Sequence, residues 1–307
     1  MYYAIYISAM AVPIWDGAVY LENAQDWLAG DPLYEPFRPP LLSWIIAGIW
    51  AVSRVEDWTI IKYLQAAFTM GAGIMLYLTL RKHKGGPFAF GVASLSMLNT
   101  QVFYNSALIL TEGISLFFLT LTLYFSKTEN IKRMRLTGIG SGLSLALTFA
   151  ARYPIVLQAI AIIAAEALIR RNHRLLENAM IGAIPVLSAI ALLVFLKTGT
   201  FAVALEGDTN LTILPSPFYV INSIAIWGYA ILLVPWAFLF KRTFEDKYNY
   251  TFIAWLIVSL LFWSANISNH QERFGIQFAP AVYFLALLTI ENIVKSKFIF
   301  RYLTMKK

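Results

Sequence analysis

The chain has 307 residues, 59% of them hydrophobic and 13% charged, with a mean hydropathy of +0.65 and a formal net charge of +7. That balance lies outside the range of soluble globular domains, and no polar stretch is long enough to form a large one. The chain has no cysteine, which excludes disulfides, thiolate metal sites and a thiol nucleophile.

Apolar segments fall at 1–13, 40–53, 58–80, 87–103, 106–126, 136–151, 154–169, 178–196, 218–240, 249–265 and 275–294. A helix needs about 20 apolar residues to cross the ~30 Å hydrocarbon core, so the pattern predicts an all-α, polytopic membrane protein. The first segment, MYYAIYISAMAVP, lacks the basic start of a signal peptide and reads as a first transmembrane helix, a signal peptide being the alternative. Most of the 24 Lys and Arg residues lie in five short clusters: Arg81 to Lys84, Lys127 to Arg135, Arg170 to Arg174, Lys241 to Lys247, and the tail from Lys295. Short basic loops between apolar helices stay cytoplasmic. The clusters therefore set orientation, and no nucleic-acid partner is expected.

If every apolar segment crossed, basic clusters would fall on both sides. Segment 40–53, PLLSWIIAGIWAVS, is short enough to lie along the outer leaflet instead. About ten crossings then remain, with every basic cluster and the C-terminus cytoplasmic. The non-cytoplasmic face receives 14–57, 104–111, 151–153, 197–217 and 266–274. The expected organisation is one integral-membrane domain, 1–307. Residues 1–196 form a catalytic-type module with the first outer loop 14–57; 197–307 add an outer loop and the last three transmembrane helices.

Polar signals on that face come from separate segments. In GAVYLENAQDWLAG, Tyr20, Ala24, Trp27 and Leu28 share one face of an amphipathic helix, and Gly30 suits its stop. Asp16 precedes that helix and reads either as its N-cap or as a functional acid. Glu112 begins the apolar run EGISLFFLTLTLY, either as an acid favoured by the helix dipole or as a membrane-depth carboxylate kept for use. Arg152, in FAARYPIV, is an isolated cation in an outer hairpin; it suits an anion at the membrane surface or snorkels to headgroups. His270, Glu272 and Arg273 occupy a turn before the last helix, which is either solvated or a compact polar site. With Arg38 they converge on one level from five segments. Carboxylates beside arginines at a lipid interface suit a reaction in which a lipid phosphate leaves: arginines hold the phosphate while a carboxylate takes a proton from an attacking hydroxyl. The chain has no HExxH zinc motif and no P-loop, so energy or sugar would arrive on a membrane-soluble carrier.

The string DGAVYLENAQDWLAGDPLY, followed by FRPPLLSW, together with ARYP and HQERF, resembles the C-type (GT-C) integral-membrane glycosyltransferases. It is most similar to the dolichyl-phosphate-mannose protein mannosyltransferase and aminoarabinose transferase group. The resemblance implies outer-leaflet juxtamembrane helices in the first outer loop, Asp16 as the catalytic acid of that loop, and Glu112 as the second catalytic acid. Arg38, Arg152, Arg273 and His270 would bind the donor phosphate; Tyr20, Tyr153 and Glu272 would contact substrate. Gln271 stands where relatives often have Lys. The implied reaction moves a hexosyl or mannosyl-type sugar from a polyprenyl (dolichyl or undecaprenyl) phosphate to a hydroxyl on a glycan, lipid or protein, with inversion. No cofactor is certain; a divalent metal (Mg or Mn) bridging Asp16 and Glu112 stays open. The expected site is the non-cytoplasmic face of a membrane, a prokaryotic plasma membrane ahead of the endoplasmic reticulum. The alternative is a transporter or flippase of lipid-linked sugars, which would need charges such as Lys62 and Glu291 to line a path.

Overall fold

The computed structural model describes residues 16–31, 38–128, 134–199, 216–265 and 272–305. The expected first helix at 1–13 and most of the outer loop 197–217 lie outside them. Among the described residues all regular structure is helical.

Within the first loop expected from sequence, the described residues fold as two short helices, α1 (Asp16–Leu28) and α2 (Leu41–Ser53). The apolar stripe of α1 buries Tyr20 and Ala24 against Leu42, Ile46 and Trp50 of α2 and Ile109 beyond. Leu28, expected on this face, lies past its edge and is exposed, while Gly17 and Asn23 join the buried side. Gly30 ends α1 with φ +102°, and the Asp31 N–H closes back on the Asp26 carbonyl. Only a residue without Cβ adopts that conformation freely. Segment 40–53 is thus a separate helix packed on α1, matching the juxtamembrane pair the sequence resemblance implies.

The long helices follow as α3 (Trp58–Lys84), α4 (Gly86–Leu98), α5 (Thr100–Asn105), α6 (Glu112–Ser126), α7 (Met134–Ala151), α8 (Val156–Arg170) and α9 (His173–Thr198). The Asp57 carboxylate caps α3 by accepting from the Thr59 N–H at 2.7 Å. Segment 87–103 breaks at Asn99, whose Oδ1 accepts from the N–H groups of Gln101 and Val102 and so starts α5. Helix α6 begins only at Glu112, because 106–111 form turns.

Segment 218–240, expected to be one crossing helix, is instead a series of pieces. These are α10 (Phe218–Ile221), α11 (Ser223–Trp227), a 3-10 stretch (Gly228–Leu233) and α12 (Val234–Ala237). Asn222, Gly228 at φ +65° and Pro235 interrupt it. Buried side chains satisfy the freed carbonyls. Asn99 donates to Ile226 O, Tyr283 to Trp227 O and Thr289 to Leu233 O. Non-helical backbone survives at membrane depth only when it is covered in this way. The chain continues with α13 (Lys241–Glu245), α14 (Asn249–Ala265), a 3-10 stretch (Glu272–Phe278) and α15 (Ala279–Met305).

Four helical stretches, 58–84, 153–170, 173–196 and 273–296, are long and apolar enough to cross a membrane. Large apolar side chains such as Leu168 (77% exposed) face outward, while Ser, Thr and Gln are buried inside. That is the arrangement expected where lipid is the surrounding solvent. The bundle has two unlike ends. One gathers members of all five basic clusters: Lys84 pairs with Asp246, Lys127 with Glu166, Arg170 with Glu166, and Arg242 and Lys295 lie beside Lys84. The other carries α1, Glu112, Arg152 and Arg273.

Helices α7 and α9 pack backbone to backbone. A Cβ at Gly142 would strike the Ala179 carbonyl, and one at Gly182 the Ile139 carbonyl. Small residues allow this approach where no water-driven force pushes helices together. Gly142→Val is expected to cost at least about 1–3 kcal/mol, read as a lowered unfolding temperature in detergent. Gly48→Ala should not, since nothing lies within 4 Å of a Cβ there.

Candidate active site

Three arginines and two carboxylates meet at the end of the bundle away from the basic clusters. The first residue of α1, Asp16, has Oδ1 at 3.3 Å from the Arg38 guanidinium and Oδ2 at 3.1 Å from that of Arg273. Glu112, first in α6, accepts from Arg152 at 2.6 Å through Oε1, with Arg273 Nε at 3.7 Å from the same oxygen. Arg273 therefore bridges the two acids. Asp16 keeps 23% of its side chain exposed, whereas Glu112 keeps 2%. One acid is open to an incoming group; the other is sealed behind it.

Aromatic rings back the arginines. The Arg152 guanidinium lies 4.5 Å from the Phe274 ring centroid and 5.7 Å from that of Trp263, and the two rings stack at 4.5 Å. Arg273 lies 5.4 Å from Phe274. Guanidiniums held on ring faces keep their N–H edges free to point at anions. Beneath them, Gln277 Nε2 donates to the Glu112 carbonyl and to Ser115 Oγ, tying the α15 entry to the start of α6. Glu112 Oε2, Gln277 Oε1 and both polar atoms of Gln65 are buried without a hydrogen-bond partner.

The structure brings Asp16, Arg38, Glu112, Arg152 and Arg273 together as the sequence predicts. The two tyrosines are buried. Tyr20 shares a hydrogen bond with Thr111. Burial pushes its phenol up to about 12; Glu112 and Asp16 add to the rise, and Arg152 opposes it. Tyr20 is therefore a neutral phenol at any physiological pH. Tyr153 is buried and donates to the Arg38 carbonyl at 3.2 Å, its ring against Phe149. Both contact protein groups that support the acids and arginines. Tyr153→Phe should cost about 1 kcal/mol, seen as a lower unfolding temperature. His270 and the Glu272 side chain lie outside the described residues.

Trp263, Phe274, Gln65 and Gln277 are not among the residues predicted from sequence. Gln65 and Gln277 carried a readable signal, an amide inside or beside an apolar run. The rings were indistinguishable from the other aromatics of a chain that is 15% aromatic.

A divalent metal between the two acids would have to displace guanidiniums. Both Asp16 oxygens and Glu112 Oε1 face guanidiniums, and no group of three His, Asp or Glu able to hold an ion occurs among the described residues. An apolar groove of about 610 Å³ runs between α3 and α4, past Met70, Phe90 and Met97, to Thr69 and Ser106. Thr69, in its lining, stands where a Cβ on Gly113 would meet it, one residue along the chain from Glu112.

A family model described as dolichyl-phosphate-mannose-protein mannosyltransferase matches residues 37–198, about half of the chain, including Arg38, Glu112 and Arg152. No curated protein matches the sequence. Two solved structures of ArnT from Cupriavidus metallidurans are similar at 14% identity. The apo form has a TM-score of 0.69 over 91% of this chain, and the form bound to undecaprenyl phosphate has 0.70 over 94%. The chain spans 56% and 58% of those structures' lengths. Family model and fold agree with the resemblance read from the first loop: the chain is an integral-membrane member of the dolichyl-phosphate-mannose-protein mannosyltransferase family, within the GT-C group.

Proposed function

We propose that the chain is a glycosyltransferase that moves a sugar from a polyprenyl phosphate to a hydroxyl acceptor on the non-cytoplasmic face, the C-terminus being cytoplasmic. The observation that carries this reading is the charge balance of the site. Among the described residues three guanidiniums stand against two carboxylates, leaving one positive charge. A sugar–phosphate–prenyl diester brings one negative charge and neutralises it. The undecaprenyl phosphate bound to the solved ArnT is a ligand of the same class. The apolar groove, whose lining Thr69 stands close to Gly113 next to Glu112 in the chain, supports the same donor, since a prenyl chain needs apolar cover next to its headgroup.

The reaction follows from the exposure of the two acids. An acceptor hydroxyl reaches Asp16, the more open carboxylate, and gives it a proton. Its oxygen attacks the anomeric carbon, and the bond from that carbon to the phosphate oxygen breaks. The electron pair goes to the phosphate, whose added charge Arg38, Arg152 and Arg273 stabilise. A single displacement inverts the anomeric centre. Glu112 takes no proton in this scheme; it fixes Arg152 and Arg273.

The transporter reading requires charges along a path. Lys62 lies near the Trp58 end of α3, over the Trp58 ring, while Glu291 pairs with Lys295 beside Lys84 at the far end. The 22 residues from Lys62 to Lys84 span about 33 Å of helix. This separation favours the transferase.

The test is sugar transfer in isolated membranes from a panel of labelled polyprenyl-phosphate sugars. Wild-type membranes should transfer one of them, and Arg273→Gln should raise the donor KM at least about tenfold, as expected for loss of a charge-assisted contact. Equal donor KM in both would remove Arg273 from the phosphate site. No transfer from any donor would favour the transporter.

A further inference from the structure

The opposite end of the bundle holds a cavity that the transferase reading leaves unused. It measures about 510 Å³ and lies between the end of α3, α13, the start of α14 and α15. Its charged lining is Lys84, Arg242 and Lys295 against Glu245, Asp246 and Glu291, equal numbers of each sign. We propose that this cavity binds the headgroup of a zwitterionic, primary-amine phospholipid in the leaflet at that end.

The charges select the ligand class. A balanced cavity gains nothing from a net anion or a net cation, and its acids do not form a metal cluster among the described residues. Both signs are nevertheless available at once, as a phosphate diester joined to an ammonium requires. Lys84 pairs with Asp246, Lys295 with Glu291 and Glu245 with Lys241 at the rim, while the Arg242 guanidinium has no ion pair among the described residues. Arg242 is thus the group to receive the phosphate, the fork geometry suiting two of its oxygens. Asn249, wholly buried in the lining, uses its Nδ2 on the Thr243 carbonyl and leaves Oδ1 without a hydrogen-bond partner. With the Oε2 atoms of Glu245 and Glu291, whose Oε1 atoms face Lys241 and Lys295, it offers acceptors to a primary ammonium, whose N–H groups a trimethylammonium lacks.

The surroundings place the cavity at a bilayer interface. Trp236, Phe244 and Tyr250 are exposed beside it, and Lys241 stands in solvent on the same short helix as Arg242. Exposed aromatics next to cations mark the headgroup level of membrane proteins, and basic pockets between helices at that level bind lipid heads.

Lipid retention tests this without reference to sugar transfer. The full chain is reconstituted in nanodiscs of phosphatidylethanolamine, phosphatidylcholine and phosphatidylglycerol in equal parts, released, and weighed by native mass spectrometry. One phosphatidylethanolamine per chain should be retained, at least about tenfold over each of the others. Arg242→Gln should reduce that retention about tenfold, the size expected for one hydrogen-bonded charge. Glu291→Gln should abolish the preference over phosphatidylcholine. Lys247→Gln, exposed and outside the cavity lining, should change neither, and unchanged unfolding temperatures identify variants that fold. Equal retention of the three lipids, or retention indifferent to Arg242→Gln in a folded variant, would overturn the site. Soluble phosphoethanolamine competing as well as the lipid would overturn the assignment to a membrane source.

Discussion

Asp16→Asn is expected to lower sugar transfer by about 10²–10⁴-fold, the range for removal of a positioned general base. The amide oxygen can still accept from one of Arg38 and Arg273, but its NH2 faces the other donor to donor, and it cannot take the acceptor's proton. It also removes one negative charge from a site with three guanidiniums and two carboxylates. The variant therefore carries two positive charges in place of one, and its hold on an anionic donor should be equal or tighter. A fall in kcat with unchanged or lowered donor KM is the expected signature. A raised KM with intact kcat would make Asp16 a donor-binding residue instead.

Glu112→Gln is expected to act first on stability. The side chain is 2% exposed and sits between Arg152 and Arg273. Removing one partner of a buried ion pair costs about 3–5 kcal/mol, because the other charge is left uncompensated. The unfolding temperature in detergent should fall accordingly. The double variant Glu112→Gln/Arg152→Gln should lose less than the sum of the single losses, since the second change removes the stranded charge. Strict additivity would show that the pair is not coupled.

The acids and arginines of the site were legible because charge is conspicuous in an apolar chain. Arg38, from the first loop, and Arg273, some 235 residues later, could be assigned to one level by the alternation of basic clusters alone. What charge could not convey was depth. Asp16 and Glu112 looked alike in sequence, yet one is open and the other sealed, because Glu112 heads a helix packed behind the arginines. Tyr20 and Tyr153, expected at the substrate, are both buried, where a phenol can cover apolar surface and still reach Thr111 or the Arg38 carbonyl. Segment 218–240 failed as a single helix for a similar reason. Its apolar run is long enough, but Asn99, Tyr283 and Thr289, all remote in sequence, satisfy the backbone that its breaks expose.

The central claim is that the donor is cleaved at one face and not carried across. The most direct measurement gives the purified chain, in sealed proteoliposomes, a polyprenyl-phosphate sugar labelled in both halves, with a hydroxyl acceptor. Mass spectrometry then follows each label. A transferase yields equimolar polyprenyl monophosphate and glycosylated acceptor on the side where the donor was supplied. Intact donor recovered on the opposite side, with no monophosphate formed, would contradict that claim.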